Sequence, residues 1–191
     1  EHDKLLLKAN KTSIPEVVNS WLQYIDMGKY DISKSGEEII RFNVENRSIV
    51  DVGFGVSQIL PIIIEGSIMQ KYQTLLLEQP EIHLHPKAQM KIADYLLSLA
   101  FDEKRIIVET HSDHIINRIV RRCLENPILI DKISILFLSK DESGVSNVCS
   151  IRIDSHLGIN NAPIDFFDQY SSETERIIQS GYENMIKDNQ R

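Results

Sequence analysis

The sequence predicts an α/β fold, a mostly parallel sheet with flanking helices and an antiparallel hairpin at one edge, and three observations carry that prediction. Leu75 to Leu77 form a continuous apolar run ending in Glu78, the pattern of a central parallel strand covered on both faces. A helical repeat from Pro86 to about Ala100, apolar at Ile92, Ala93, Leu96, Leu97 and Leu99, separates that run from a second one, Arg105 to Glu109. Strand, helix and strand at these lengths make a βαβ unit, whose strands run parallel. Farther on, Lys132 to Leu138 and Asn147 to Ile153 flank the turn Asp141-Glu-Ser-Gly144, which predicts the edge hairpin.

The other elements follow in order. Residues 13 to 28 place Ile14, Val17, Val18, Trp21, Leu22 and Ile25 at helical spacing, with Ser13 and Glu16 as a capping box and Pro15 in the first turn. A strand is expected around Ile39 to Val44. From Ser57 the run through Met69 reads as a helix capped by Ser57, which puts Pro61 in the first turn, where no intrahelical N–H is lost. Gly53 and Gly55 lie just ahead of it and leave that helix start open to close approach by an anion. A helix is expected from His111 to about Leu124. Residues 154 to 165 read as loop, followed by a polar helix from about Ser172 in the pattern Ser172-x-x-Glu175.

At 191 residues and 42% hydrophobic, the chain can bury a core and fits one domain or one large lobe. Its net charge of −7 argues against an indiscriminate nucleic-acid binder. Arg118, Arg121 and Arg122 form a local basic patch, read here as a solvated helix face. Cys123 and Cys149 lack zinc-site spacing and fit a reducing, cytoplasmic setting without a disulfide framework. No apolar run reaches the length of a membrane span.

Two strands end in polar groups, one in Glu78 and the other in Glu109-Thr110-His111-Ser112, and ligands of open α/β sheets bind at that carboxyl edge. Together with Asp51-Val-Gly53-Phe-Gly55-Val-Ser57-Gln58 upstream and Glu78-Gln79-Pro80-Glu81-Ile82-His83-Leu84-His85-Pro86 at the first strand end, this order resembles the C-terminal half of an ABC-type ATPase, a lobe of the P-loop NTPase class. More closely it resembles bacterial ATPases related to the overcoming-lysogenization-defect (OLD) family and the SMC class. The resemblance is strong over residues 49 to 122.

The resemblance implies a division into the end of a helical insertion (1–48), the C-terminal part of the ATPase domain (49–153) and a small C-terminal extension (154–191). It implies ATP and Mg2+ as cofactors. Gly53, Gly55, Ser57 and Gln58 would form the signature turn that meets a phosphate bound by a second subunit, and Glu78 would end the Walker B strand and hold magnesium. His111 would be the switch histidine, and Glu81, His83 and His85 would lie on the loop facing the other subunit of a homodimer. Gln79 departs from the family pattern, in which a glutamate activates the attacking water; glutamine orients water but accepts no proton. The phosphate-cradling Gly-x-x-x-x-Gly-Lys-Ser/Thr is absent, so the resemblance places it in an upstream region of the same protein. Implied further partners are a nuclease or toxin in phage defence or genome maintenance, with DNA left open.

Two other readings stand beside this one. A site with Gln79 in place of the base suits an ATP-sensing scaffold that hardly hydrolyses. His83 and His85 with Glu78, Glu81 and His111 suggest a metal-dependent hydrolase, although His-x-His on an extended segment points the rings to opposite sides.

Overall fold

In the computed structural model, the described residues are 13–35, 39–48, 51, 53–163 and 165–189. Helix α1 (Ile14–Ile25) buries Val18, Trp21, Leu22 and Ile25 of the predicted stripe, with Val17 half-buried, whereas Ile14 in the first turn is exposed. Ser13 occupies the cap position without a side-chain capping bond, so the Ser13 half of the expected capping box does not form. The helix ends at Asp26, which takes a left-handed conformation while Met27 N–H donates to the Leu22 carbonyl at 2.8 Å. Strands β1 (Tyr30–Ser35), β2 (Ile39–Val44) and β3 (Arg47–Ser48) form an antiparallel meander, with Tyr30 opposite Val44. Glu45 and Asn46 both have positive φ between β2 and β3, as a two-residue hairpin turn requires.

Helix α2 (Phe54–Ile68) starts three residues before the expected cap. Gly53 is its N-cap, Ser57 lies inside it, and Pro61 is a helix-interior proline that deprives the Ser57 carbonyl of its donor. The Ser57 hydroxyl bonds back to the Phe54 carbonyl at 2.9 Å, a local bond in place of the capping one.

Strand β4 (Thr74–Glu78), helix α3 (Pro86–Phe101) and strand β5 (Arg105–Glu109) form the βαβ unit, with β4 and β5 parallel and in register from Thr74↔Arg105 to Glu78↔Glu109. Leu75, Leu77, Ile106 and Val108 point to a core built from Ile59, Leu60, Ile63, Ile92, Tyr95, Leu96, Leu99 and Ile115. Leu76 and Ile107 point the other way and are 66% and 57% exposed. Among the described residues, the expected cover is found on one face only: apolar residues line both faces, and the one carrying Leu76 and Ile107 is left exposed.

Gly66 lets α2 and α3 approach closely, because a Cβ there would overlap the Tyr95 hydroxyl and come within 2.6 Å of Leu99 Cδ1. That hydroxyl donates to the Ile63 carbonyl at 2.8 Å. Helix α4 (Asp113–Glu125) corrects the reading of the basic patch. Arg118 and Arg122 converge on the buried Asp94 of α3 at 2.6 and 2.7 Å, and Tyr24 of α1 donates to the same carboxylate at 2.6 Å. A carboxylate inside a helix interface selects arginines as partners, since a buried charge must be paired. Of the three, only Arg121 is exposed.

The chain divides into two compact units, one through Arg122 and one from Cys123. In the second, a 3-10 helix (Pro127–Lys132) takes the place of the first residue of the expected strand. Strands β6 (Ile135–Lys140) and β7 (Ser146–Ile151) pair antiparallel, with Lys140 opposite Ser146. Asp141 holds their turn by accepting from the Ser143 and Val145 N–H groups at 2.9 and 3.0 Å. Strand β7 ends at Ile151 rather than at Ile153, and short strands β8 (Ile153–Asp154) and β9 (Gly158–Ile159) pair where loop was expected from residue 154. Helix α5 (Gln169–Asn189) begins three residues before Ser172, so the capping pattern there is not its start.

Candidate functional site

The site is built where the parallel pair ends. Glu78 and Glu109 are register partners, so their side chains leave the same face of the sheet, the one that also carries exposed Leu76 and Ile107. Two carboxylates side by side on neighbouring strands repel each other, and a cation offsets that repulsion. Beyond Glu78 the chain turns at once: Gln79 takes a positive φ of 46° and donates its N–H to the Glu109 carbonyl at 2.8 Å. A left-handed non-glycine residue at a strand end is a strained position that its surroundings must hold.

The turn continues through Ile82 N–H to the Gln79 carbonyl at 3.2 Å and Leu84 N–H to the Glu81 carbonyl at 3.0 Å, with His83 also left-handed. Pro80 and Glu81 are buried within it. One Glu81 oxygen, Oε1, accepts the His111 N–H at 2.6 Å; the other, Oε2, is buried without a hydrogen-bond partner. His85 caps α3, its Nδ1 accepting the Lys87 N–H at 3.2 Å, and Pro86 follows in the first turn. The two histidines of His-Leu-His thus do different work, since His83 lies against the exposed Phe54 ring with centroids 5.5 Å apart.

His111 stands just before α4, its ring exposed and its Nε2 3.3 Å from Glu109 Oε1. Thr110 and Ser112 close the same bend, the Ser112 N–H donating to Thr110 Oγ1 at 3.0 Å. The Ser112 hydroxyl caps α4 through the Ile115 N–H at 3.1 Å and donates to Gln89 Oε1 at 2.5 Å. Gln89 Nε2 in turn donates to the Leu84 carbonyl at 2.9 Å. Gln89 was not singled out from the sequence, where the available signal was only an amide in the first turn of the helix that Pro86 begins.

The structure therefore brings Glu78, Gln79, Glu81, Glu109 and His111 to one edge. The start of α2 touches the same turn through Gly55, where a Cβ would lie 3.0 Å from the His83 carbonyl oxygen and 3.2 Å from Leu84 Cδ2. Gly53 has open space around it, and Ser57 and Gln58 lie within the helix. Val56 N–H already bonds to the Gly53 carbonyl at 3.0 Å, leaving the first N–H groups of α2 as the donors a helix start offers an anion.

Glu78 and Glu109 are exposed hard-oxygen donors, which fits magnesium: that ion takes one or two carboxylates and fills the rest of its shell with water and phosphate. Among the described residues, no three His, Cys, Asp or Glu side chains come together as a metal-ligand set. Among the described residues, the three-ligand set with an open position that a histidine-based hydrolase needs is therefore not formed by His83, His85 and their neighbours.

The sequence matches the AAA ATPase domain family over residues 2–116, more than half of the chain. The fold is similar to a structure described as the structural biochemistry of ATP-driven dimerization and DNA stimulated activation of SMC ATPases, with a TM-score of 0.56 and 15% identity. That match covers 72% of this chain and 83% of the other. A crystal structure of the SmcHead bound to the C-winged helix domain of ScpA matches with a TM-score of 0.54 and 15% identity, over 74% of this chain and 43% of that one. At such identity the likeness concerns the fold. No curated protein matches the sequence. No helix among the described residues is long and apolar enough to cross a membrane. The chain belongs to the AAA ATPase domain family and carries the fold of SMC ATPase heads.

Proposed function

We propose that this chain is one half of a lobe that binds and hydrolyses ATP and acts as a nucleotide-driven dimeric switch. The observation that carries the reading is the paired Glu78 and Glu109 on the face of exposed Leu76 and Ile107, which no described residue covers. Leaving such a face in water forgoes about 1.5–3 kcal/mol for each large side chain. An upstream segment of the same polypeptide, carrying the phosphate loop, is the cover that also completes the site. In this reading residues 1–48 end a helical insertion, 49–153 belong to the ATPase domain and 154–191 form an extension.

Bound Mg2+ would supply charge neutralisation of the phosphates, and Glu78 would hold it through water. His111, exposed beside Glu109, reaches toward the γ-phosphate, and Gln79 orients the attacking water. The start of α2, with Gly53, Gly55, Ser57 and Gln58, meets the nucleotide of a second subunit, across which Glu81, His83 and His85 lie on the facing loop. Closure of the dimer follows only if ATP binds the closed state more tightly than the open one. One of the similar SMC structures concerns ATP-driven dimerization and DNA stimulated activation; for this chain a homodimer, DNA and a nuclease or toxin partner in genome maintenance or phage defence belong to the proposal.

Magnesium-dependent ATP hydrolysis by the full-length polypeptide tests it. Glu78→Gln is expected to lower activity roughly 10- to 100-fold; unchanged turnover would remove Glu78 from the site. Gln79 favours a second reading, an ATP-sensing scaffold, which predicts ATP-dependent dimerisation with almost no turnover.

A further inference from the structure

We propose that Glu81 is a positioning residue that anchors the switch bend, holding His111 in place from the turn that faces the second subunit. The inference rests on the ATPase reading and deepens it. Glu81 is only 9% exposed, and its Oε1 accepts the His111 N–H at 2.6 Å. This is a charge-assisted bond between the 79–85 turn and the 110–112 bend, stronger than a neutral one. Three more bonds run beside it: Gln79 N–H to the Glu109 carbonyl at 2.8 Å, Ser112 Oγ to Gln89 at 2.5 Å, and Gln89 to the Leu84 carbonyl at 2.9 Å.

A missing glutamate at position 79 invites the idea that Glu81 is the base instead. Its geometry argues otherwise. One oxygen is committed to a backbone N–H, and the other is sealed from solvent without a partner, so no attacking water reaches either in this arrangement. A base must come within hydrogen-bond reach of the proton it takes. What the arrangement does provide is a link. Gly55 packs on the His83 carbonyl, His83 lies two residues from Glu81, and Glu81 holds His111. A displacement of the facing loop or of the α2 start is carried to the histidine through one carboxylate. The unpaired Oε2 leaves a buried acceptor free for a donor that arrives when the bend rearranges, which lowers the cost of moving between two positions.

Substitutions in the full-length polypeptide separate anchor from base. Glu81→Gln keeps an oxygen acceptor for the His111 N–H and removes the charge; Glu81→Ala removes both. For an anchor, Glu81→Ala lowers kcat about tenfold or more with the ATP KM little changed, since a misplaced reacting group costs rate rather than binding. Glu81→Gln retains most of the rate, and the double variant Glu81→Ala/His111→Ala is no slower than His111→Ala. Equal loss in Glu81→Gln and Glu81→Ala, or additive loss in the double variant, overturns the proposal.

Hydrogen exchange at the His111 amide reads the anchor without nucleotide. Protection is expected in wild type and in Glu81→Gln, and about tenfold faster exchange in Glu81→Ala. A wild-type amide that exchanges as fast as the alanine variant's removes the anchor, whatever the turnover. Protection in a protein without ATP turnover or binding instead removes the ATPase reading and leaves the anchor standing.

Discussion

Asp94 is the single side chain whose loss is expected to damage the first unit most. Its side chain is 2% exposed and faces Arg118 and Arg122, themselves 11% and 5% exposed, with nitrogen–oxygen distances of 2.6 and 2.7 Å. Tyr24 adds a hydroxyl at 2.6 Å, so one carboxylate joins α1, α3 and α4. Asp94→Ala takes from two buried guanidinium groups the carboxylate they share, which costs about 3–5 kcal/mol, mostly desolvation no longer compensated. With a urea dependence of about 2 kcal/mol per M, the denaturation midpoint falls by roughly 2 M. A triple change to Asp94→Leu, Arg118→Met and Arg122→Met is expected to cost less than Asp94→Ala alone, because it removes the charges together. Burial pushes the Asp94 carboxyl upward, but hydrogen bonds from Arg118, Arg122 and Tyr24 outweigh it and hold its pKa below the ordinary value. Such a group contributes stability that is complete above the unfolded carboxyl pKa of about 3.9 and lost as pH falls through the folded one. The stability gap between wild type and Asp94→Asn therefore holds at neutral pH and closes in acid. A midpoint shift under about 0.5 M for Asp94→Ala, or a gap that widens in acid, would refute the argument.

Gly66→Ala is expected to destabilise by about 1–3 kcal/mol in thermal unfolding, since Tyr95 is tied to Ile63 and cannot retreat from the added methyl; an unchanged midpoint would show that α2 and α3 separate easily. Cys123 is fully buried, and burial pushes its thiol pKa up to about 11. It should resist iodoacetamide at pH ~8, where the thiolate is scarce, until the protein is denatured; labelling of the folded protein at the rate of the unfolded one would contradict its burial. Gln79→Glu restores a proton acceptor beside the strand end and should raise ATP turnover by about 100-fold or more in the full-length protein. No gain would mean that general-base transfer does not limit the rate.

The βαβ unit and the α1 stripe were legible because their residues repeat at the periods of strand and helix, and burial follows that repeat. The start of α2 was not. Ser57 has the chemistry of a cap, but Gly53 took the position and Pro61 was accepted inside the helix, where packing of Ile59, Leu60 and Ile63 outweighs one lost hydrogen bond. The basic patch misled for a related reason: charge alone suggests solvent, and only the opposed Asp94 turns Arg118 and Arg122 inward. The strand-end residues Glu78 and His111 were found by pattern, whereas the Glu81 and Gln89 links were invisible, since each joins residues more than twenty positions apart.

By itself the sequence determined which residues reach the carboxyl edge of the parallel pair, because strand alternation and chain direction are local properties. Tertiary structure alone decided which of them are held together: Glu81 buried against the His111 amide, Gly55 against the His83 carbonyl, and Asp94 between two arginines. Those contacts depend on how α2, α3, α4 and the strand ends pack, and a buried charge or a close backbone approach exists only once they do.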